Sequence, residues 1–211
     1  MSMRAISMGL VLCFLASGEV CAETTVILQG GAGFLFDLIP ASRYNYLDVG
    51  WKTGFNAGVG VEIFLSRWLA IAPGFELSRY PFDRYPYGGI GIPEIHVVEA
   101  VGKATDIYRF YVEGRLFALH GGRISPYFST GIGYAIERIG DIRVTTYDLL
   151  AGRYRTLDRV YGNHDYFVHT IALGARVRVT ESLALDAVGR LFTNYADRCH
   201  ESASLGVAYR F

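Results

Sequence analysis

Apolar and polar residues alternate with a period of two along most of the chain beyond residue 23. That period places successive side chains on opposite faces of a β-strand. Eight such stretches are predicted: Thr25–Phe36, Thr53–Leu65, Leu69–Tyr80, Thr105–Ala118, Pro126–Arg138, Tyr166–Val179, Leu183–Tyr195 and Ser202–Phe211. In the second, Phe55, Ala57, Val59, Val61 and Ile63 share one face, against Asn56, Gly58, Gly60 and Glu62. In the fourth, Tyr108, Phe110, Val112 and Leu116 oppose Arg109, Tyr111, Glu113 and Arg115. Each stretch runs to about 10–15 residues, longer than the roughly 5–6 of a soluble strand and long enough for a tilted membrane crossing. An even number of strands lets the sheet close, so no edge stays unpaired in lipid.

The links between these stretches also alternate. Ser66–Trp68, His120–Ser125 and Thr180–Ser182 are short. Asp37–Gly50, Pro81–Ala104 and Ile139–Asn163 are long, and Ala196–Glu201 is intermediate. Short turns on one side and long loops on the other are the pattern of an outer-membrane barrel. The predicted fold is all-β: an eight-stranded antiparallel transmembrane up-and-down β-barrel, with both termini on the periplasmic, short-turn side.

Alternation alone does not say which face is outside. A soluble, lipocalin-like barrel would turn the same apolar faces inward around a hydrophobic ligand. The minority face separates the two readings. It carries Glu62, Glu76, Glu113, Glu137 and Asp186 with Arg109, Arg115, Arg176, Arg178, Arg190 and Arg210. Five acids and six arginines among glycines suit a mutually neutralising ion network inside a narrow lumen, where buried charges persist only when paired. A soluble surface would favour lysine, and the chain has only Lys52 and Lys103. Aromatic residues at strand ends (Trp51, Trp68, Tyr80, Tyr127, Tyr195 and Phe211) fit interfacial girdles.

Composition narrows the function. The chain has 20 basic and 20 acidic residues in 211, so no basic excess exists to bind nucleic acid. No apolar run reaches the roughly 18 residues of a membrane helix. Arg4, the apolar stretch Ala5–Ala16 and Val20-Cys21-Ala22 read as a secretory signal peptide over residues 1–22, with the barrel domain at 23–211. Its removal would leave Cys199 as the single cysteine, with no intrachain disulfide.

The chain closes on Leu205, Val207, Tyr209 and Phe211, alternating apolar residues with a final aromatic. This resembles the assembly signal of outer-membrane proteins. Gly58-Val59-Gly60-Val61-Glu62 running on to Ser66-Arg67-Trp68, and Ser125-Pro126-Tyr127 with Gly131-Ile132-Gly133-Tyr134, add to the likeness. Together with Thr180-Glu181-Ser182-Leu183, they resemble the small eight-stranded OmpA/OmpX-like outer-membrane barrel family over nearly the whole mature chain. The resemblance implies an outer-membrane location, contact with outer-membrane lipid and lipopolysaccharide, and recognition by the barrel-assembly machinery. It also implies a monomer, and a signal placed at Phe211 implies that no peptidoglycan-binding domain follows.

Enzymes exist on this fold, so the candidate chemistry is weighed residue by residue. Lipid A deacylases of similar architecture use a His and a Ser two residues apart on a lipid-facing strand. His169 has that placement, but Ile171 follows where a nucleophile would stand. A palmitoyltransferase-like set would need His164, Asp165 and Ser202 to meet at the outer rim. No metal-ligand spacing joins the five histidines, and no cofactor is expected. Eight strands enclose a lumen that side chains fill, so an open pore is not expected. The remaining reading is non-enzymatic: envelope support, or adhesin-like recognition of a host or surface ligand. Tyr85, Tyr87, Arg153, Tyr154, Arg155 and Tyr161 in the long loops are the candidate contacts, since Tyr and Arg dominate binding surfaces. The alternatives are a lipid-modifying enzyme acting on lipid A and a periplasmic lipocalin-like binder.

Overall fold

A computed structural model describes residues 23–37, 53–82, 95–119, 122–159, 163–194 and 198–211. They form eleven strands: β1 Thr24–Asp37, β2 Gly54–Phe64, β3 Leu69–Tyr80, β4 Ile95–Gly102, β5 Thr105–Phe117, β6 Ile124–Arg138, β7 Ile142–Asp148, β8 Arg153–Arg159, β9 Asn163–Arg178, β10 Leu183–Thr193 and β11 Arg198–Arg210. Eight close into a barrel in the order β1-β2-β3-β5-β6-β9-β10-β11 and back to β1. All neighbours are antiparallel. The seam between the first and last strands runs in continuous register from Thr25↔Arg210 to Asp37↔Arg198.

The other three strands are a finding beyond the sequence expectation. The long links after β3 and β6 are not wholly irregular: β4, β7 and β8 pair as a separate sheet in that order. Two barrel strands also begin well before their expected starts. Strand β9 starts at Asn163 rather than Tyr166, and β11 at Arg198 rather than Ser202.

Tight turns mark one end of the barrel. Leu65 N and Val179 N donate to Leu69 O and Leu183 O, both at 2.9 Å. Ser66 Oγ accepts from the Leu69 amide at 3.2 Å, and Thr180 Oγ1 from the Leu183 amide at 3.0 Å. These short hydroxyl residues satisfy turn amides that the ladder leaves over. Phe211 N donates to Thr24 O at this same turn end, bringing first and last strand together. The small sheet belongs to the opposite, loop end.

Burial alternates along every barrel strand, most regularly in β5 and β10. Leu28, Val59, Phe110, Phe128, Ile132, Leu173 and Leu205 are exposed on the outer wall. Glu62, Glu76, Arg109, Glu113 and Arg190 are buried inside. The apolar faces therefore point outward, which excludes the lipocalin-like arrangement. Trp68 and Phe211 stand on the outer wall as a girdle requires, whereas Tyr80 and Tyr127 do not. Both are buried in the lumen, because they share parity with Ser78 and Ser129 on the inward face. Trp51 and Tyr195 lie outside the described residues.

Candidate functional site: a filled lumen and an exposed sheet

Eight charged side chains meet in the lumen as one alternating chain. Asp186 pairs with Arg176 at 3.2 Å, and Arg176 with Glu62 at 2.5 Å. Glu62 pairs with Arg115 at 3.2 Å, and Arg115 with Glu113 at 3.3 Å. Glu113 pairs with Arg190 at 2.7 Å, Arg190 with Glu76 at 3.2 Å, and Glu76 with Arg109 at 3.0 Å. Four acids and four arginines alternate, so the chain carries no net charge. Each interior member touches two opposite charges, the condition under which burying ions is tolerable. Tyr127 donates to Asp186 at 2.9 Å, while Ser78 accepts from Arg109 at 2.7 Å.

Aromatic rings complete the arrangement, and the sequence reading missed their role. Arg109 lies over Phe192 at 4.4 Å, and Arg190 over Tyr111 at 4.7 Å. Arg115 lies over Tyr127 at 5.2 Å, and Arg176 over Phe117 at 5.3 Å. Guanidinium is planar and weakly hydrated, so it stacks where an ammonium would not. Nε and Nη2 of Arg109 have no hydrogen-bond partner, and the Phe192 ring face stands beneath that plane. The signal was available: Phe117 and Phe192 follow Arg115 and Arg190 by two residues, on the same face of their strands.

Apolar clusters pack among and around the ions. Phe64, Ala70, Phe117, Tyr127, Ala172 and Val188 cluster toward the turn end. Tyr80, Ile107, Tyr111, Ala135, Val168 and Phe192 cluster toward the loop end. Glycine admits the large rings. Tyr111 crosses Gly74 in the neighbouring strand, where a Cβ would approach the ring to 2.7 Å. Tyr127 covers Gly174 in the same way. An aromatic over a cross-strand glycine fills the gap that glycine leaves in a sheet.

Three of the expected network residues stand apart from this chain. Arg178 is exposed at the turn end. Arg210 pairs with Glu23 at 3.3 Å, and both are partly exposed at that mouth. Glu137 is buried near the loop end, opposite His164 in the β6–β9 register. Parity reports the face of a strand but not the depth in the barrel. At the turn end the same face opens to water. Leu205, Val207, Tyr209 and Phe211 are all exposed on the outer wall, and the last two rings meet edge to face at 5.0 Å.

The candidate enzyme groups do not converge. Ser202 is buried in the lumen with its Oγ 3.5 Å from Glu76. His164 and Asp165 are exposed near the start of β9, and Asp165 accepts from Tyr134. Register places Ser202 beside Arg190, which pairs with Ala172, far down β9 from Asp165. His169 is exposed on the outer wall, beside exposed Ile171. His200 is buried, with Nε2 3.1 Å from the Tyr166 hydroxyl.

Of the loop candidates, Tyr85, Tyr87 and Tyr161 lie outside the described residues. Arg153, Tyr154 and Arg155 are exposed on β8, at one edge of the small sheet. Tyr154 faces Tyr147 across the hairpin with ring centroids 4.9 Å apart.

A closed eight-stranded antiparallel barrel with an apolar outer wall and a charge-paired lumen is the fold of the smallest transmembrane β-barrels. Solved barrels share this fold. Ail, the attachment invasion locus protein of Yersinia pestis, superposes with a TM-score of 0.50 at 14% identity, over 90% of this chain and 99% of Ail. Neisserial surface protein A gives 0.51 at 13% identity, over 90% and 97%. OprG from Pseudomonas aeruginosa gives 0.50 at 11% identity, over 92% and 98%. No family model and no curated protein matches the sequence.

Proposed function

We propose that this chain is a sealed, non-enzymatic barrel of the outer membrane that presents the β4–β7–β8 sheet as a recognition surface outside the cell. In this reading residues 1–22 direct export, the turn end faces the periplasm, and Leu205, Val207, Tyr209 and Phe211 address the assembly machinery. The barrel works as a monomeric pedestal in contact with lipopolysaccharide. The observation that carries the reading is the contrast between the two ends of the fold. Deep in the lumen the charged groups are spent on one another among packed aromatic and apolar side chains, and the exposed inward-face charges Glu23, Arg178 and Arg210 stand only at the turn-end mouth. The sheet at the loop end instead exposes Arg153, Tyr154 and Arg155.

Topology is tested with Thr156→Cys in a Cys199→Ser background. A membrane-impermeant maleimide should label intact cells, and labelling only after lysis would refute the orientation. Recognition is tested by replacing residues 142–159 with a tight turn and counting adherent cells. Adhesion should fall while the barrel still shifts on unboiled gels. Lipid A mass spectra with and without the protein should match. A change in acyl chains would move the assignment to a lipid-modifying enzyme.

A further inference from the structure

The β7–β8 hairpin ends in two exposed leucines. Leu150 is 84% exposed and Leu149 52%. A single exposed leucine is ordinary. Two adjacent ones in a hairpin connection are not, because such connections normally take Gly, Asn, Asp or Ser. Nor does the turn fold them away. Asp148 Oδ1 accepts from the Leu150 amide at 3.1 Å and from the Ala151 amide at 3.0 Å, which fixes the connection. Gly152 then takes φ +60°, and a Cβ there would meet nothing within 4 Å, so among the described residues nothing packs over the turn at that point.

The residues behind the tip are layered. The Tyr147–Tyr154 pair stands behind the leucines, and Tyr154 is 67% exposed. Arg153 and Arg155 flank it, with Arg155 3.7 Å from Asp148. Residues 142–159 carry four arginines and two aspartates, a net charge of +2. Leucine outermost, tyrosine behind it and arginine alongside is the order in which a peptide meets a bilayer: acyl region, interface, phosphate layer. Strands of this length span about 23 Å, enough to carry the tip clear of the barrel rim.

We infer that the Asp148–Arg153 turn is a wedge that inserts Leu149 and Leu150 into an opposing phospholipid bilayer, with Arg153 and Arg155 on anionic headgroups. The inference rests on the loop end facing outward, as proposed above. An exposed apolar tip with a positive collar suits a soft anionic surface.

The test is flotation of the full barrel, held in amphipol, with vesicles of phosphatidylcholine and phosphatidylserine at 4:1 or of phosphatidylcholine alone. The parent protein should float with the anionic vesicles. Leu149→Ser with Leu150→Ser should weaken binding by about tenfold or more, since that apolar area would no longer leave water. Arg153→Gln should weaken it about fivefold on anionic vesicles, the effect of roughly one basic residue, and little on neutral ones. Emission of Leu150→Trp should shift to the blue on vesicle addition. All variants should keep the unboiled gel shift. No flotation of the parent, or flotation untouched by the leucine changes, would overturn the wedge. Capture by protein-coated surfaces alone would also overturn it and assign the tip to a protein pocket. The Thr156→Cys labelling separates these failures from a wrong orientation, which would leave the cysteine unlabelled on intact cells.

Discussion

The lumen and the loop-end sheet use the same chemistry in opposite settings. Glu113 and Arg190 meet at 2.7 Å inside the barrel, and Asp158 and Arg143 meet at 2.6 Å on the sheet. The first pair is buried and the second more than half exposed. Distance is therefore a poor guide to consequence. In the lumen each charge lacks water as a second choice, so its partner is obligatory. On the sheet, water replaces either partner at little cost.

The largest effect is expected where the lumen chain is cut. Glu113→Ala leaves both Arg115 and Arg190 short of a counter-charge. Breaking a buried pair in this way costs about 3–5 kcal/mol. The temperature at which the unboiled gel form is lost should drop clearly, and an unchanged midpoint would mean that water enters the lumen and replaces the carboxylate. The pairs also join distant strands. Arg176 and Arg190 on β9 and β10 reach Glu62, Glu76 and Glu113 on β2, β3 and β5. Neither seam strand, β1 or β11, supplies a member of the chain. The ions thus hold the two halves together across the lumen, while the seam itself closes by backbone pairing.

A smaller effect is expected from filling a glycine. Gly174→Ala places a Cβ against the Tyr127 ring, which cannot retreat freely because its hydroxyl is held by Asp186. Overpacking of this kind costs about 1–3 kcal/mol. The same substitution made in a Tyr127→Ala background should cost almost nothing. Equal costs in both backgrounds would show that the strain comes from the backbone and not from the ring.

That pair of residues also shows what the sequence reveals and what it hides. Alternation is dictated by the environment on each side of a wall, so strand faces and the inward charges of β2, β3, β5, β9 and β10 are legible in it. Tyr80 and Tyr127 stand near strand ends, where girdle residues are expected. Their parity with Ser78 and Ser129 is the stronger signal, because a side chain cannot change face without a bulge. The pairing of particular charges was not legible, since contacts across a lumen depend on strand stagger. Nor was the small sheet. β8 reads Arg153-Tyr154-Arg155-Thr156-Leu157-Asp158-Arg159, with no apolar face to announce a strand. It is specified by its partners in register: Tyr147↔Tyr154, Thr145↔Thr156 and Arg143↔Asp158.

The smallest effect is expected at that last rung, and its sign follows from the proton. The hydrogen bond from Arg143 holds the Asp158 carboxyl below the usual carboxylate range and raises the guanidinium. A depressed carboxyl contributes stability above its unfolded pKa of about 3.9 and loses it as pH falls through the lower folded value. Between pH 7 and 5 the rung should therefore stay intact, and the protection factors of residues 142–159, which are exchange rates corrected for the intrinsic pH dependence of amide exchange, should not change. Below about pH 4 those protection factors should begin to fall, while the barrel's do not. Asp158→Asn should remove the acid step, leave a slightly faster exchange at neutral pH, and leave the gel shift where it was. Lower protection already at pH 5, or a lower melting barrel in Asp158→Asn, would mean that the sheet and the barrel are energetically coupled. The hairpin would then be part of the barrel's stability and not an independent surface carried on it.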